Sequence, residues 1–237
     1  MARKLLVVGA HSADFVWRAA GTIAVTTANG GDALVVALSY GERGESGELW
    51  KQEGQTVENV KRIRHEQAEQ AAAAVGARFV CLDLGDYPLE VDAAAMERLV
   101  QLFRDEAPDV VLTHTAVDPF NPDHPVAHDV VMRARLLSSG AGVASAFERI
   151  DPPAVYLFEP HQPELCGFQP NTFVDITPVF ERKVAAMAAM GAQSYLKEYY
   201  TELAGRRGNH ARRISGKQHV RQAEAHQRVL PLVVESL

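Results

Sequence analysis

Short apolar runs alternate with longer amphipathic stretches along this chain. Residues 4–10 (KLLVVGA), 33–39 (ALVVALS), 79–84 (FVCLDL) and 109–113 (DVVLT) are rich in β-branched and large aliphatic side chains, with few polar positions. Such runs read as strands buried on both faces, as in a parallel sheet. Between them lie stretches with helical periodicity: 15–28, closed by Asn29-Gly30-Gly31; 56–75, stopped by Gly76; and 93–106, ending before Pro108. Glycine just past the last periodic residue marks a helix end, because it takes the left-handed conformation at little steric cost. Another helix is predicted from residue 124 to about Leu137, with short strands at 154–158 and 173–176. The rest reads as helical, near 178–190, 194–203 and 218–229. Strands alternating with long helices predict right-handed βαβ units, hence an α/β fold, a Rossmann-like three-layer sandwich with a mainly parallel sheet. No linker or internal repeat interrupts the pattern, so residues 1–237 are expected to form one domain.

Composition narrows the role. With 47% apolar residues the chain has the means for a large core, which excludes a disordered or collagen-like protein. A net charge of −6 without a basic block argues against nucleic acid or an anionic membrane as partner. No stretch approaches the ~20 apolar residues of a membrane span, and the N-terminal apolar stretch is too short for a signal peptide. Two cysteines, Cys81 and Cys166, make no disulfide framework, and a reducing cytoplasm is expected. The nine histidines are left to explain.

Their positions point to a site. In open α/β sheets ligands bind beyond the carboxyl ends of the strands. Strand one runs into His11 and Asp14; strand two into Glu42, Arg43 and Glu45; strand four into His114, Asp118, Asn121, Asp123, His124 and His128; strand five into Glu159 and His161. Four strand ends thus deliver imidazoles and carboxylates to one rim. His11 and Asp14, three apart across a strand-to-helix turn, can face one point, and His124 supplies a third ligand. Two imidazoles and a carboxylate with an open position suit catalytic zinc, and also Fe(II) or Mn(II). Asp123 either orients a ligand or acts on the attacking water. His65, His219 and His226 fall in charged stretches read as solvated helix faces, and His128 reads equally as a hydrogen-bonded buried residue.

These residues resemble the PIG-L/LmbE-like zinc-dependent N-deacetylases. The family's first motif, AHPDD, stands here as Ala10-His11-Ser12-Ala13-Asp14, followed by Gly21-Thr22; its second, HPDH, stands as Asn121-Pro122-Asp123-His124. GERGE after strand two, Arg64 and Glu66, Leu84-Gly85-Asp86, VDIT with Lys183 and Gln193, and the segments around Arg207-Gly208 and Glu224 extend the likeness over nearly the whole chain. The resemblance implies an LmbE-like fold and puts the metal ligands on His11, Asp14 and His124. It puts the family's general base on position 13 and its oxyanion-stabilising histidine on position 121. Alanine cannot accept a proton, and asparagine cannot become an imidazolium.

AHSADFVWRAAGTIA together with SYGERGESGELW resembles a narrower branch, the 4-oxalomesaconate hydratases of gallate degradation, which add water across a carbon–carbon double bond. That likeness implies proton transfer by a loop glutamate and a late histidine. These fall on Glu45 and His161, with Glu42 and Glu48 as alternatives for the first and His128 for the second. It also implies a small-molecule tricarboxylate as substrate and a homo-oligomer such as a hexamer. An anionic substrate needs local cations, for which Arg43, Arg18 and the segment holding Arg207 and His210 are candidates, with Asn121 as a neutral donor. The competing expectations are an amidohydrolase with a relocated base and a non-catalytic metal-binding relative.

Overall fold

The computed structural model describes residues 3–234 and residue 236. Its strands are β1 (Lys4–Gly9), β2 (Asp32–Ala37), β3 (Arg78–Cys81), β4 (Val110–Thr113), β5 (Ala154–Phe158), β6 (Thr172–Asp175) and β7 (Ala223–Arg228). Its helices are α1 (Asp14–Arg18), α2 (Ala20–Ala28), α3 (Gly47–Trp50), α4 (Val57–Val75), α5 (Ala93–Glu106), α6 (Asp123–Ser139), α7 (Phe180–Ala189) and α8 (Leu196–Ser215). The strands form one sheet in the order β3-β2-β1-β4-β5-β7-β6. Strands β1 to β5 run parallel; β7 lies antiparallel between β5 and β6.

The uniformly apolar strands are explained by two cores, one on each face. Leu5, Val7, Ala33 and Val35 point into one, with residues of α2, α4 and α7; Leu6, Val8, Leu34 and Val36 point into the other, with α5 and α6. Period-two alternation therefore places every second residue in a different core, and no position of β1 or β2 beyond its first faces solvent. Helix ends follow the local chemistry the sequence announced. The Thr56 hydroxyl accepts the Asn59 N–H and Gly76 ends α4 at φ 75°; the Asp92 carboxylate accepts the Ala95 N–H at the start of α5.

Three expectations fail near the termini. The helix over 15–28 is broken at Ala19 into α1 and α2. The Glu224 carboxylate takes the backbone N–H groups of Gly21 and Thr22, at 2.9 and 2.7 Å, and so caps α2 from the far end of the chain. Second, α8 continues past the expected end near 203 to Ser215, so the basic segment around Arg207 is helical. Third, residues 223–228 of the expected 218–229 helix form strand β7. Its two buried polar side chains each find a partner: Glu224 also binds Lys183 Nζ at 2.5 Å, and His226 Nε2 meets the Thr22 hydroxyl at 2.8 Å. His226 is thus a buried sheet residue, not a surface one.

Burial holds the His226 imidazole below its usual pKa. Below pH ~6.5 the unfolded chain takes up a proton here that the native chain refuses, so stability falls as pH drops through that window, by up to ~1.4 kcal/mol per unit. Urea midpoints of the wild type should therefore fall more steeply between pH 7.5 and 5.5 than those of His226→Gln. Equal slopes would contradict the assignment.

Candidate active site

Strand order reverses at β1 and β4: the chain leaves β1 toward β2 and leaves β4 toward β5, on opposite sides. Loops after the two central strands diverge there and leave a crevice. His11 and Asp14 follow β1, Glu45 follows β2, and His114 to His124 follow β4. The crevice has a volume of about 280 Å³ and is lined by Arg18, Glu45, Asn121, His124, His161 and Gln193, among others.

Ligand atoms of His11, Asp14, Glu45 and His124 all lie within 4.8 Å of one another. Two atoms test whether this group fits a cation. His11 Nδ1 and His124 Nε2 are buried and have no hydrogen-bond partner. His11 Nδ1 lies 3.7 Å from Asp14 Oδ2 and 3.2 Å from Glu45 Oε1; His124 Nε2 lies 3.6 Å from Asp14 Oδ1 and 3.9 Å from Glu45 Oε1. The opposite nitrogen of each ring is held by a carboxylate, His11 Nε2 by Asp123 at 3.0 Å and His124 Nδ1 by Asp118 at 2.7 Å. A ring that donates outward to a carboxylate presents its lone pair inward. Orphaned buried nitrogens cost roughly 1–3 kcal/mol each, which a cation at their meeting point would relieve. The residues fit a divalent metal.

Asp14 is fixed on both oxygens. Oδ2 accepts the His11 backbone N–H at 2.7 Å and meets His114 Nε2 at 3.0 Å, while Oδ1 pairs with Arg18. Burial favours the neutral acid, but His114 and Arg18 outweigh it and hold the Asp14 carboxyl well below its ordinary range. Glu45 is likewise ionised: with no cation on its Nδ1 the His11 imidazole is protonated, and it overcomes the burial of Glu45 and brings it down to about 2. Of the other loop glutamates, Glu42 is fully buried, 3.7 Å from Lys61 and outside the metal-ligating group, and Glu48 is exposed and paired with Lys51. Asp123, expected either behind a ligand or beside the attacking water, stands behind His11. Its Oδ2 also accepts the Tyr87 backbone N–H, and its Oδ1 accepts that of Leu89, so both oxygens are fixed behind the His11 ring.

His161 stands at the crevice mouth. The Tyr199 hydroxyl donates to its carbonyl at 3.0 Å, and the Tyr200 hydroxyl lies 3.4 Å from Nδ1. The residue keeps an exposed edge, but enclosure of its ring and the nearby Arg18 push its pKa down to about 4. His128, the alternative, turns away: its Nδ1 donates to the His114 carbonyl at 2.8 Å.

The expected cations are corrected. Only Arg18 lines the crevice. Arg43 is exposed and its guanidinium donates to the Asp86 carbonyl at 2.8 Å, because the loop turns its side chain outward. Arg207 grips Glu159, and His210 is exposed with its Nδ1 3.0 Å from Arg207. Both line a separate cleft that touches the crevice only through His161. Sequence reasoning gave no role to Asp118, Tyr200 or Arg64. Asp118 sat among the strand-four carboxylates, six residues before its histidine, and Arg64 among the family matches, but nothing in the sequence marks Tyr200.

The profile of the PIG-L family, described as GlcNAc-PI de-N-acetylase, matches residues 6–135, more than half of the chain. The chain belongs to the PIG-L family. A 4-oxalmesaconate hydratase of Pseudomonas putida KT2440 is 44% identical to it over 99% of this chain and 92% of its own. The crystal structure of GalB, the 4-carboxy-2-hydroxymuconate hydratase of the same strain, superposes with a TM-score of 0.96 over 99% of both chains, again at 44% identity. An N,N′-diacetylchitobiose deacetylase from Pyrococcus horikoshii shares the fold, with a TM-score of 0.79 at 20% identity over 96% of this chain and 84% of its own. At the two positions where the resemblance put the family's base and its oxyanion histidine, this PIG-L chain has alanine and asparagine. Ala13 is fully buried and offers a methyl group, and Asn121 donates to Glu45 Oε1 at 3.1 Å. Among the described residues, no helix is long and apolar enough to cross a membrane.

Proposed function

We propose that this chain is a zinc-dependent hydratase that adds water across the C=C bond of an unsaturated oxo-tricarboxylate, 4-oxalomesaconate, giving 4-carboxy-4-hydroxy-2-oxoadipate. The whole-length likeness to the P. putida hydratase carries this reading. The crevice chemistry agrees with it, since the deacetylase base position holds Ala13 while Glu45 and His161 both face the crevice.

His11, Asp14 and His124 would hold the zinc, a ligand set of two imidazoles and one carboxylate usual for that metal. Bound there, the ion supplies Lewis acidity and lowers the pKa of water from about 15.7 toward 7. Glu45 takes the proton of the water that attacks the substituted alkene carbon. Arg18 faces the same crevice and draws a substrate carboxylate to it. The enol form, 4-carboxy-2-hydroxymuconate, needs two protons delivered to carbon, one from its own hydroxyl and one from water. Neutral His161 suits the first transfer and Glu45 the second. The free thiols of Cys81 and Cys166 support a cytoplasmic setting.

The test offers the zinc-loaded protein 4-oxalomesaconate and, separately, an N-acetylated amino sugar. Loss of the conjugated ultraviolet absorbance is expected from the first and no acetate from the second. Acetate release without hydration would replace this reading by that of an amidohydrolase.

A further inference from the structure

Two side-chain amides flank Glu45, and neither is free to turn over. Asn121 Oδ1 accepts the Asp123 backbone N–H at 3.1 Å, which leaves Nδ2 to donate to Glu45 Oε1, also at 3.1 Å. Gln193 Oε1 accepts from Trp17 Nε1 at 3.4 Å and from Arg64 Nη1 at 3.2 Å, so its Nε2 is directed at Glu45 Oε2, 3.5 Å away. Arg64 is in turn fixed by its Nε on the Tyr40 carbonyl at 3.0 Å, and it is fully buried. Reversing either amide would set N–H against N–H on one side and oxygen against carboxylate on the other. Both amides are themselves more than nine-tenths buried and line the same crevice as Glu45.

We propose that Asn121 and Gln193 are positioning residues that clamp the two oxygens of Glu45, so that Asn121 serves the base and not the substrate. This rests on Glu45 being the base of the proposed hydration. Glu45 reaches the crevice from a loop, on a side chain with three rotatable bonds, and its backbone N–H meets the Gly41 carbonyl at 3.2 Å. A displacement of ~1 Å at a reacting group can cost about 10²-fold in rate, which is what two fixed donors prevent. The amide at 121, where the deacetylase motif has histidine, thereby goes with base chemistry carried by Glu45 while position 13 holds alanine.

A kinetic cycle on the full zinc-loaded chain tests this, with Asn121→Ala, Gln193→Ala and Glu45→Gln alone and combined. Each alanine variant should lower kcat by roughly 10- to 100-fold with KM little changed and zinc content kept, and add less than about twofold in the Glu45→Gln background. Losses that multiply fully in that background, or a raised KM at unchanged kcat, would make the amides substrate contacts and overturn the clamp. A second measurement needs no turnover: the side-chain amide NMR signals of Asn121 and Gln193 should both shift on Glu45→Gln. Unmoved signals overturn the clamp whatever reaction the protein runs, whereas a wild type that fails to hydrate overturns only the function.

Discussion

Removal of the metal with a chelator is expected to bring hydration down to background, and added zinc to restore it. The reason lies in the donors. The two inward-facing imidazole nitrogens and the Asp14 carboxylate form the group a cation would bridge, and the described side chains give those nitrogens no other partner. Asp14→Asn is expected to abolish activity as well, for a compound reason. It removes a ligand charge and leaves the buried Arg18 guanidinium unpaired, a loss that costs about 3–5 kcal/mol when one member of a buried ion pair is deleted. Thermal shift separates the two effects. A ligand bound only by the native state raises stability by RT ln(1 + [L]/Kd), so zinc should raise the melting temperature of the wild type and leave that of Asp14→Asn unmoved. A wild type that turns over after exhaustive chelation would remove the metal from the scheme.

Glu45→Gln should lower kcat by roughly 10²–10⁴-fold, the usual contribution of a positioned acid–base group. The amide keeps the shape of the side chain but cannot take a proton. Because Glu45 also lies within reach of the metal position, zinc content is the deciding second reading. Retained zinc with lost turnover assigns Glu45 to proton transfer; lost zinc makes it a ligand. Full activity would return the role to another group.

The five parallel strands and most of the helices could be read from the sequence because their signals are local: aliphatic runs, and glycine or proline at the ends. Strand β7 could not, because AEAHQR is polar and acquires strand character only where Thr22 and Lys183 meet its side chains. The far half of α8 was hidden by Gly205 and Gly208, which weaken helical periodicity without ending the helix. Gly208 is there for packing, since a Cβ would come 2.0 Å from the Arg221 carbonyl oxygen. At the site, motif spacing brought out His11, Asp14 and His124, and the fold gathers them with Glu45. The carboxylate behind each imidazole and the partners of Arg207 depend on contacts distant in sequence or on loop shape, which spacing does not encode. The reading of Arg43 failed for a similar reason: residues two apart in a loop have no obligation to face the same way.

Because β7 follows β5 and β6 in the chain yet lies between them in the sheet, a ribosome must pass residue 228 before those two strands acquire their common neighbour. Until then β6 has no partner strand, the β5 edge is bare, and the N-terminus of α2 lacks the Glu224 carboxylate that closes it. A message truncated just before codon 223 would therefore yield a product with a bare β5 edge, an unpaired β6 and a loosened Arg18 side of the crevice, a species prone to aggregate.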